Sequence, residues 1–413
     1  MMMNKALEVL KSRGFFQQCT DVDGLSALMD KGPVTFYVGC DPTGPSLHIG
    51  HMIPFFALRH LRALGHHGIA LVGGIALVGG GTARIGDPSG KTEMRKMLSY
   101  DVLDQNTESI KKQLDKFIGF DDKTAFSANN KDWLADLNYI DFLREIGSQF
   151  SVNKMLTFES YRKRMETGLS FIEFNYQLLQ SYDYLMLHRK YNACLQIGGD
   201  DQWGNIVAGI DLIRRLTGDE SYGLTFPLVT RSDGQKMGKS EKGAIFLNPE
   251  LTPVYDFFQY WRNVNDPDVE KFFKLFTFLP LDEIAQICSG DINAAKERLA
   301  YEVTALIHSK EEADKALSGA RAAFSGAGNK EHMPTVEIPK ADFEAGIGIV
   351  DLFFKAIGGT KSDARRLVEQ GGAVVAEKNI RDVKAVIGTD VLDSDGEVVI
   401  KAGKKKMFRV VTK

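Results

Sequence analysis

Three short apolar runs, each ending in a polar or glycine-rich loop, constrain the fold of this chain more than any other feature. VTFYVGC (34–40) runs into DPTGPS and then into a helical pattern that continues through Leu64. IALVGG runs into GTARIGDPSGKT, and LQIGGDDQWGN (195–205) is a strand that ends in a polar loop. Alternation of strand, loop and helix argues for a parallel sheet with helices on both faces. Ligands of such sheets sit beyond the carboxyl ends of the strands, where each of these loops lies.

The rest of the chain is organised differently. Residues 101–190 are dominated by helical periodicity and read as an insertion between the two halves of the sheet. From Thr252 to about Gly326 the pattern is helical throughout, which predicts a helical domain. GAGNKEHMPTVEIPK has the glycine, proline and polar residues of a linker. The remaining residues predict a small α+β unit, with TKSDARRLVEQGG as a basic amphipathic helix. A chain of 413 residues is long enough for two or three such domains.

One repeat interrupts this order. GIALVG occurs at 68–73 and again at 74–79. Six residues preserve the two-residue alternation of a strand. They would nevertheless lengthen it by roughly 20 Å, so one copy must lie outside the sheet. The second copy keeps a short path to GDPSG and is expected to form the strand. The first is expected as a partly exposed apolar loop, an aggregation hazard.

Charge and cysteine usage narrow the function classes. The net charge of −3 announces no global nucleic-acid binder, so any RNA-binding patch must be local. From Thr360 to Lys413 there are 12 Lys/Arg against 8 Asp/Glu, a net of +4, which leaves −7 on the remainder. A basic module on an acidic body is the footprint of contact with an RNA backbone, or equally a solvated charged face. Cys19, Cys40, Cys194 and Cys288 form no CxxC pair, which disfavours a metal centre and fits a reducing, cytoplasmic setting. The first residues lack the apolar core of a secretory signal, and the longest apolar stretch is broken by glycines, so no membrane association is expected.

Two motifs carry chemistry. HIGH (His48–His51) follows the first strand and opens a helix. A helix start offers free N–H groups to phosphate. Gly50 leaves room for a flat base against the backbone. His48 and His51, three apart, share a face. RSDGQKMGKS (231–240) places Lys236 and Lys239 about Gly238 on what should be a mobile loop, with Ser240 after them. Two ammonium groups and a hydroxyl can gather around a polyphosphate as its charge develops. Alone, either motif reads equally as a plain helix start or a solvated loop. Together, about 190 residues apart in an α/β chain, they point to nucleotide chemistry.

With these motifs the chain resembles the class I aminoacyl-tRNA synthetases, and in detail the bacterial-type tyrosyl-tRNA synthetases. The resemblance rests on FYVGCDPTGPSLHIGH, IGDPSGKTEMR, FNYQLLQSYDYL, LQIGGDDQWGN, GLTFPLVTRSDGQKMGKS and SDARRLVEQGG, in that order over nearly the whole chain. It implies a Rossmann-like catalytic domain at 1–224 with a helical dimer-interface insertion. It also implies the KMGKS loop with an α-helical anticodon-side domain at 225–326, a linker at 327–345, and an S4-like RNA-binding domain at 346–413. A homodimer is implied, with the insertion near 120–170 at its interface and tRNA bridging two subunits.

The same resemblance assigns roles. Tyr37 and Asp183 would hydrogen-bond the phenol of tyrosine. Asp87, Tyr176 and Gln180 would hold its ammonium group, with Gln196 supporting the pocket and Asp41 lining it. Gln202 would lie near the tyrosine carboxyl. Gly199 and Asp201 would meet the ribose. Thr43 and His48 would bind the departing phosphates, with His51 on the nucleotide. Lys236, Lys239 and Ser240 would close over pyrophosphate, joined by Lys91 and Arg95. Lys361, Arg365, Arg366, Lys404, Lys405 and Lys406 would contact tRNA phosphates. Val38 and Cys40 stand at strand positions that vary in the family. Pro54 falls about one turn into the helix opened by HIGH, where a kink or loosened turn is expected.

Elementary chemistry agrees with these roles. In adenylate formation an already ionised carboxylate attacks the α-phosphorus of ATP, so no general base is needed. Catalysis then rests on positioning and on neutralising pyrophosphate. Mg2+ would accompany ATP, held mainly by phosphate and water, with no protein metal site and no tightly bound cofactor. The implied activity is transfer of L-tyrosine to tRNA(Tyr). A tryptophan-specific relative shares the nucleotide motifs, and Tyr37 with Asp183 argues against it. A catalytically impaired RNA-binding relative is the other alternative, motivated by the repeat.

Overall fold

The computed structural model describes residues 3–72, 87, 99–121, 123–234, 237–240, 243–325, 333–403 and 406–413. Of several of these, Lys239, Ser240 and Lys406 among them, it describes the backbone alone. The chain divides into two compact units, Met1–Pro253 with Tyr260–Ile307, and Val254–Gln259 with His308–Lys413.

The first unit is built on a six-stranded sheet of β1 (Gln18–Cys19), β2 (Thr35–Cys40), β3 (His67–Val72), β4 (Ala125–Asn129), β5 (Ala193–Gly199) and β6 (Tyr222–Phe226). The spatial order is β1-β6-β5-β2-β3-β4. Strands β2 to β6 are parallel, and β1 runs antiparallel to β6. From β2 the chain winds one way through β3 and β4. It then returns to build β5 and β6 on the other side. The winding therefore reverses between β2 and β5, where Tyr37 pairs in register with Gln196. Open α/β sheets bind their ligands at such a switch point.

The expected parallel sheet is present, with three strands, β1, β4 and β6, beyond the three apolar runs that predicted it. β4 lies inside the stretch read as a helical insertion. Its sequence, AFSAN, lacks β-branched residues and clear alternation. β1 is two residues long and exists through its pairing with the edge of β6.

The structure corrects the assignment of the repeat. The first GIALVG copy forms β3, with Ile69 and Ala70 fully buried and paired to Tyr37 and Val38 of β2. The second copy lies outside the described residues. The turn ahead of β3 explains the choice. Val34 N donates to His66 Nδ1 at 3.2 Å, and His67 N donates to Val34 O at 2.9 Å. These bonds fasten the chain to the start of β2, so the apolar residues that follow enter the sheet at once.

Pro54 also differs from expectation. HIGH forms a separate 3-10 turn, Ile49–His51, and the helix proper, α1 (Ile53–Ala63), begins after Met52. Pro54 falls in its first turn, where no backbone donor is needed, so nothing has to kink.

Helix α2 (Phe171–Tyr191) starts at a capping box between Ser170 and Glu173. The Glu173 carboxylate is buried and gripped by two nitrogens of Arg164, each at 3.1 Å. α2 packs along α3 (Trp203–Thr217), which leaves the end of β5 through the 3-10 turn Asp200–Gln202. Tyr37, Ile69, Leu71, Trp133, Tyr184 and Leu185 form much of the core beneath the cavity described below. The helices Val269–Phe276, Leu281–Cys288 and Ile292–Ile307 belong to this same unit. Arg13 joins them to the N-terminal helix Lys5–Arg13, donating to the carbonyls of Lys274 and Thr277.

KMGKS contributes a short pair, β7 (Lys239–Ser240) with β8 (Gly243–Ala244). The second unit holds β9 (Thr335–Ile338), β10 (Ile347–Gly348), β11 (Ala373–Val375), β12 (Lys378–Ile380), β13 (Val386–Ile387), β14 (Glu397–Ala402) and β15 (Lys406–Thr412). Five of these make a sheet in the order β12-β11-β14-β15-β9. The segment expected as linker is structured from Thr335 on. β9 pairs parallel to β15, and Ile338 and Phe343 are buried in one core with Phe353, Val368 and Ile400. TVEI, flanked by prolines, was too short to be read as a strand. Helix α4 (Lys361–Glu369) starts from a capping box between Thr360 and Asp363. Among the described residues, no helix is long and apolar enough to cross a membrane.

Candidate active site

A cavity of about 500 Å3 opens at the β2–β5 switch point. Its wall holds fourteen of the residues singled out in the sequence. Tyr37, Asp41, Thr43, His48, Gly50 and His51 come from β2 and the loop and turn after it. Tyr176, Gln180 and Asp183 line one face of α2 at spacings of four and three, as a helix requires. Gln196, Gly199, Asp201 and Gln202 come from β5 and its turn, and Asp87 completes the set. Lys91, Arg95 and Lys236 lie outside the described residues, as do the side chains of Lys239 and Ser240.

At the inner end, Asp183 is 2% exposed. Its carboxylate accepts from Trp133 Nε1 at 2.8 Å and from Asn130 Nδ2 at 3.1 Å. Burial pushes its pKa up to about 7, against the pull of these two donors. The Tyr37 hydroxyl is buried without a hydrogen-bond partner among the described residues. Burial, then the charges of Tyr184 and Asp183, raise its pKa well above the ordinary phenol value, so it remains a donor. An apolar slot with a buried carboxyl and an unsatisfied hydroxyl suits a ligand that carries its own hydroxyl at the far end of a ring. Asn130 and Trp133 were missed in the sequence. Their signal was position: NNKDW follows β4, at the same carboxyl edge as the other loops, but β4 itself was not read.

The middle of the cavity is a polar network. Gln202 Nε2 donates to Asp87 Oδ2 at 2.6 Å, and its carbonyl accepts from Gln180 at 3.2 Å and Asn205 at 3.2 Å. Tyr176 donates its hydroxyl to Asp41 Oδ2 at 3.0 Å. Asn205, one turn into α3, is a further member that sequence reasoning did not single out. Cys40 is inert here: burial, then the Asp41 charge, lifts its thiol pKa to about 12.

At the outer end the two signatures meet through backbone. The His48 and His51 rings stack 3.5 Å apart, and His48 Nδ1 accepts from Gly50 N at 3.1 Å. A Cβ on Gly50 would lie 2.8 Å from the Met237 carbonyl oxygen. One on Gly238, at φ +85°, would lie 2.9 Å from Gly50 N. The bareness of Gly50 thus admits close contact with the KMGKS backbone. Ile245 bridges the two segments, donating to Gly238 O at 2.8 Å and accepting from Ile49 N at 3.0 Å. The described part of the expected mobile loop is further held by Met237 N to Val229 O at 3.1 Å and Gly238 N to Tyr260 Oη at 3.2 Å.

In the second unit Lys361, Arg365 and Arg366 project from α4 and are exposed. Each has a nearby carboxylate: Asp351 at 2.6 Å, Glu369 at 3.8 Å and Asp363 respectively. Such exposed pairs contribute little and exchange readily for other anions. Lys404, Lys405 and the Lys406 side chain lie outside the described residues.

The chain is similar to several known proteins. The family model described as tRNA synthetases class I (W and Y) matches residues 29–325. A tyrosine–tRNA ligase from Treponema denticola is 67% identical over 410 residues, 99% of this chain and all of the relative. One from Treponema pallidum is 60% identical over 411 residues, 99% of each chain. Among solved structures, a C-terminally truncated mitochondrial tyrosyl-tRNA synthetase of Aspergillus nidulans superposes with a TM-score of 0.68 at 31% identity. The match covers 77% of this chain and 94% of that one.

Proposed function

We infer the roles of this cavity from one premise: the chain belongs to the class I tRNA synthetases (W and Y) and works as a tyrosine–tRNA ligase. Its substrates are tyrosine, ATP and tRNA. The observation that carries the assignment of the pocket is the Tyr37 hydroxyl, buried near Asp183 and without a hydrogen-bond partner among the described residues. The substrate phenol accepts from Tyr37 and donates to Asp183. Phenylalanine would leave the Tyr37 hydroxyl unsatisfied and take one hydrogen bond from Asp183, which costs affinity.

The remaining roles follow the wall of the cavity outward. Asp87, Tyr176 and Gln180 receive the ammonium group, with Asp41 behind Tyr176 and Gln196 on the facing strand. Gln202 lies by the carboxylate that attacks phosphorus. Gly199 and Asp201 take the ribose. Thr43, His48 and His51 donate to phosphate, and Lys236, Lys239, Ser240, Lys91 and Arg95 neutralise the departing pyrophosphate. No proton has to be removed from the nucleophile, so the residues orient and neutralise. The phosphate-facing groups described, histidines and a threonine, suit anionic oxygen better than a hard dication. Mg2+ therefore enters with ATP, held by phosphate and water.

Lys361, Arg365 and Arg366, with Lys404, Lys405 and Lys406, contact the tRNA backbone. Tyr139, Ile140, Val152 and Phe171 of the inserted segment are large, apolar and exposed, which supports a homodimer through that segment. We assign the protein to the cytoplasm.

The test is tyrosine-dependent ATP–pyrophosphate exchange with Tyr37→Phe. The variant should lose about tenfold or more of its preference for tyrosine over phenylalanine. An unchanged preference would remove Tyr37 from phenol recognition.

A further inference from the structure

The turn that carries Asp201 and Gln202 is held at its far end by the bonds of Gln202 to Asp87, Gln180 and Asn205, and at its start in a different way. It spans three residues between β5 and α3, and no side chain caps its start. Its first residue, Asp200, reaches back to the sheet. Asp200 Oδ1 accepts from Gln18 Nε2 at 2.7 Å and from Thr225 Oγ1 at 2.8 Å. Gln18 and Thr225 are register partners across the β1–β6 pair, so their side chains share one face of the sheet. Thr225 is fully buried. Two donors converging on one carboxylate oxygen are charge-assisted bonds that fix direction as well as distance.

We propose that Asp200 is a positioning residue for the nucleotide end of the cavity, held by the Gln18–Thr225 pair. It touches no substrate itself. It sets the rotation of the start of the turn, and with it the placement of Asp201; Gln202, by the tyrosine carboxylate, is fixed separately by its amide bonds to Asp87, Gln180 and Asn205. A hydrogen bond in the 3-10 turn, Trp203 N to Asp200 O, carries that rotation into the first turn of α3. The two-residue edge strand beside β6 thereby gains a part in the site. The strand presents the glutamine that completes the clamp. The inference rests on the assignment of Asp201 to the ribose.

Steady-state exchange kinetics on the full-length protein test it. Asp200→Ala should raise the KM for ATP by about tenfold, as loss of hydrogen bonds to a charged group predicts. The KM for tyrosine should stay within about twofold and the melting temperature within a few degrees. Asp200→Asn keeps an acceptor for both donors and should restore most of the loss. Thr225→Val and Gln18→Ala should each fall between. A helix-dipole role for the Asp200 charge would instead leave the asparagine variant as poor as alanine, and that result overturns the proposal. So does a loss in Asp200→Ala spread equally over both KM values and the melting temperature. Asp201→Ala is the control. If it raises the ATP KM and Asp200→Ala does not, the clamp is wrong. If Asp201→Ala itself has no effect, the ribose assignment fails, and the inference with it.

Discussion

Trp133 and Asp183 are joined by an indole N–H donated to a buried carboxylate at 2.8 Å. The bond bears on the charge state of the group that faces the phenol slot. Burial holds the Asp183 pKa up at about 7, and the indole opposes that rise. If the ionised form accepts the phenol proton, the tyrosine KM should fall as pH rises through 7 and level off about one unit higher. Trp133→Phe removes a donor and should move that midpoint upward, with a higher tyrosine KM at neutral pH. Exchange kinetics from pH 6 to 8.5 read both. The same raised pKa means that Asp183 favours the fold when protonated. That contribution is full below the ordinary carboxyl pKa and is lost as pH rises through about 7. A midpoint identical in both proteins would show that the indole does not tune the carboxyl.

Gly50→Ala should separate adenylation from amino-acid binding. The added carbon would lie 2.8 Å from the Met237 carbonyl oxygen, so either HIGH or KMGKS must shift. We expect adenylate formation to fall about tenfold or more, because misplacement of about 1 Å can cost a hundredfold. Tyrosine affinity, measured by equilibrium dialysis, should change less than about twofold. Equal losses in both would mean that the contact supports the whole cavity.

Removal of Met333–Lys413 should leave adenylate formation within about twofold and reduce tRNA charging by about tenfold or more, since phosphate contacts dominate RNA affinity. The cut respects the core: one at Gly346 would strand Ile338 and Phe343, which pack with residues of the tail. Undiminished charging would exclude an RNA-binding role for the tail.

Ile69→Asp should cost several kcal/mol of stability, about 3–5, because an unpaired charge would enter the sheet interior. Ile75→Asp, at the matching position of the second GIALVG, is the comparison and should cost less than Ile69→Asp. Urea unfolding of both variants measures the difference. The reverse order would assign β3 to the second copy.

Much of the cavity was legible before any coordinates, because its residues cluster at strand ends. Tyr37 and Gln196 lie on strands with strong apolar runs, and Tyr176, Gln180 and Asp183 keep helical spacing on α2. What was hidden depended on contacts between distant segments. β4 and β1 are strands through their partners rather than their composition. Asn130 and Trp133 acquire a purpose when β4 carries them beside Asp183. The contact between Gly50 and Met237 joins residues far apart in the chain, which no local pattern records. The repeat was misassigned because path length to GDPSG was weighed, while the bonds of Val34 to His66 and His67 were not visible.

The doubled hexapeptide has an odd property as an object of editing. Excising 68–73 and excising 74–79 yield the same polypeptide, letter for letter. A shortened protein therefore holds no memory of which half was discarded, however active it proves. The two halves become distinguishable when one of them is marked.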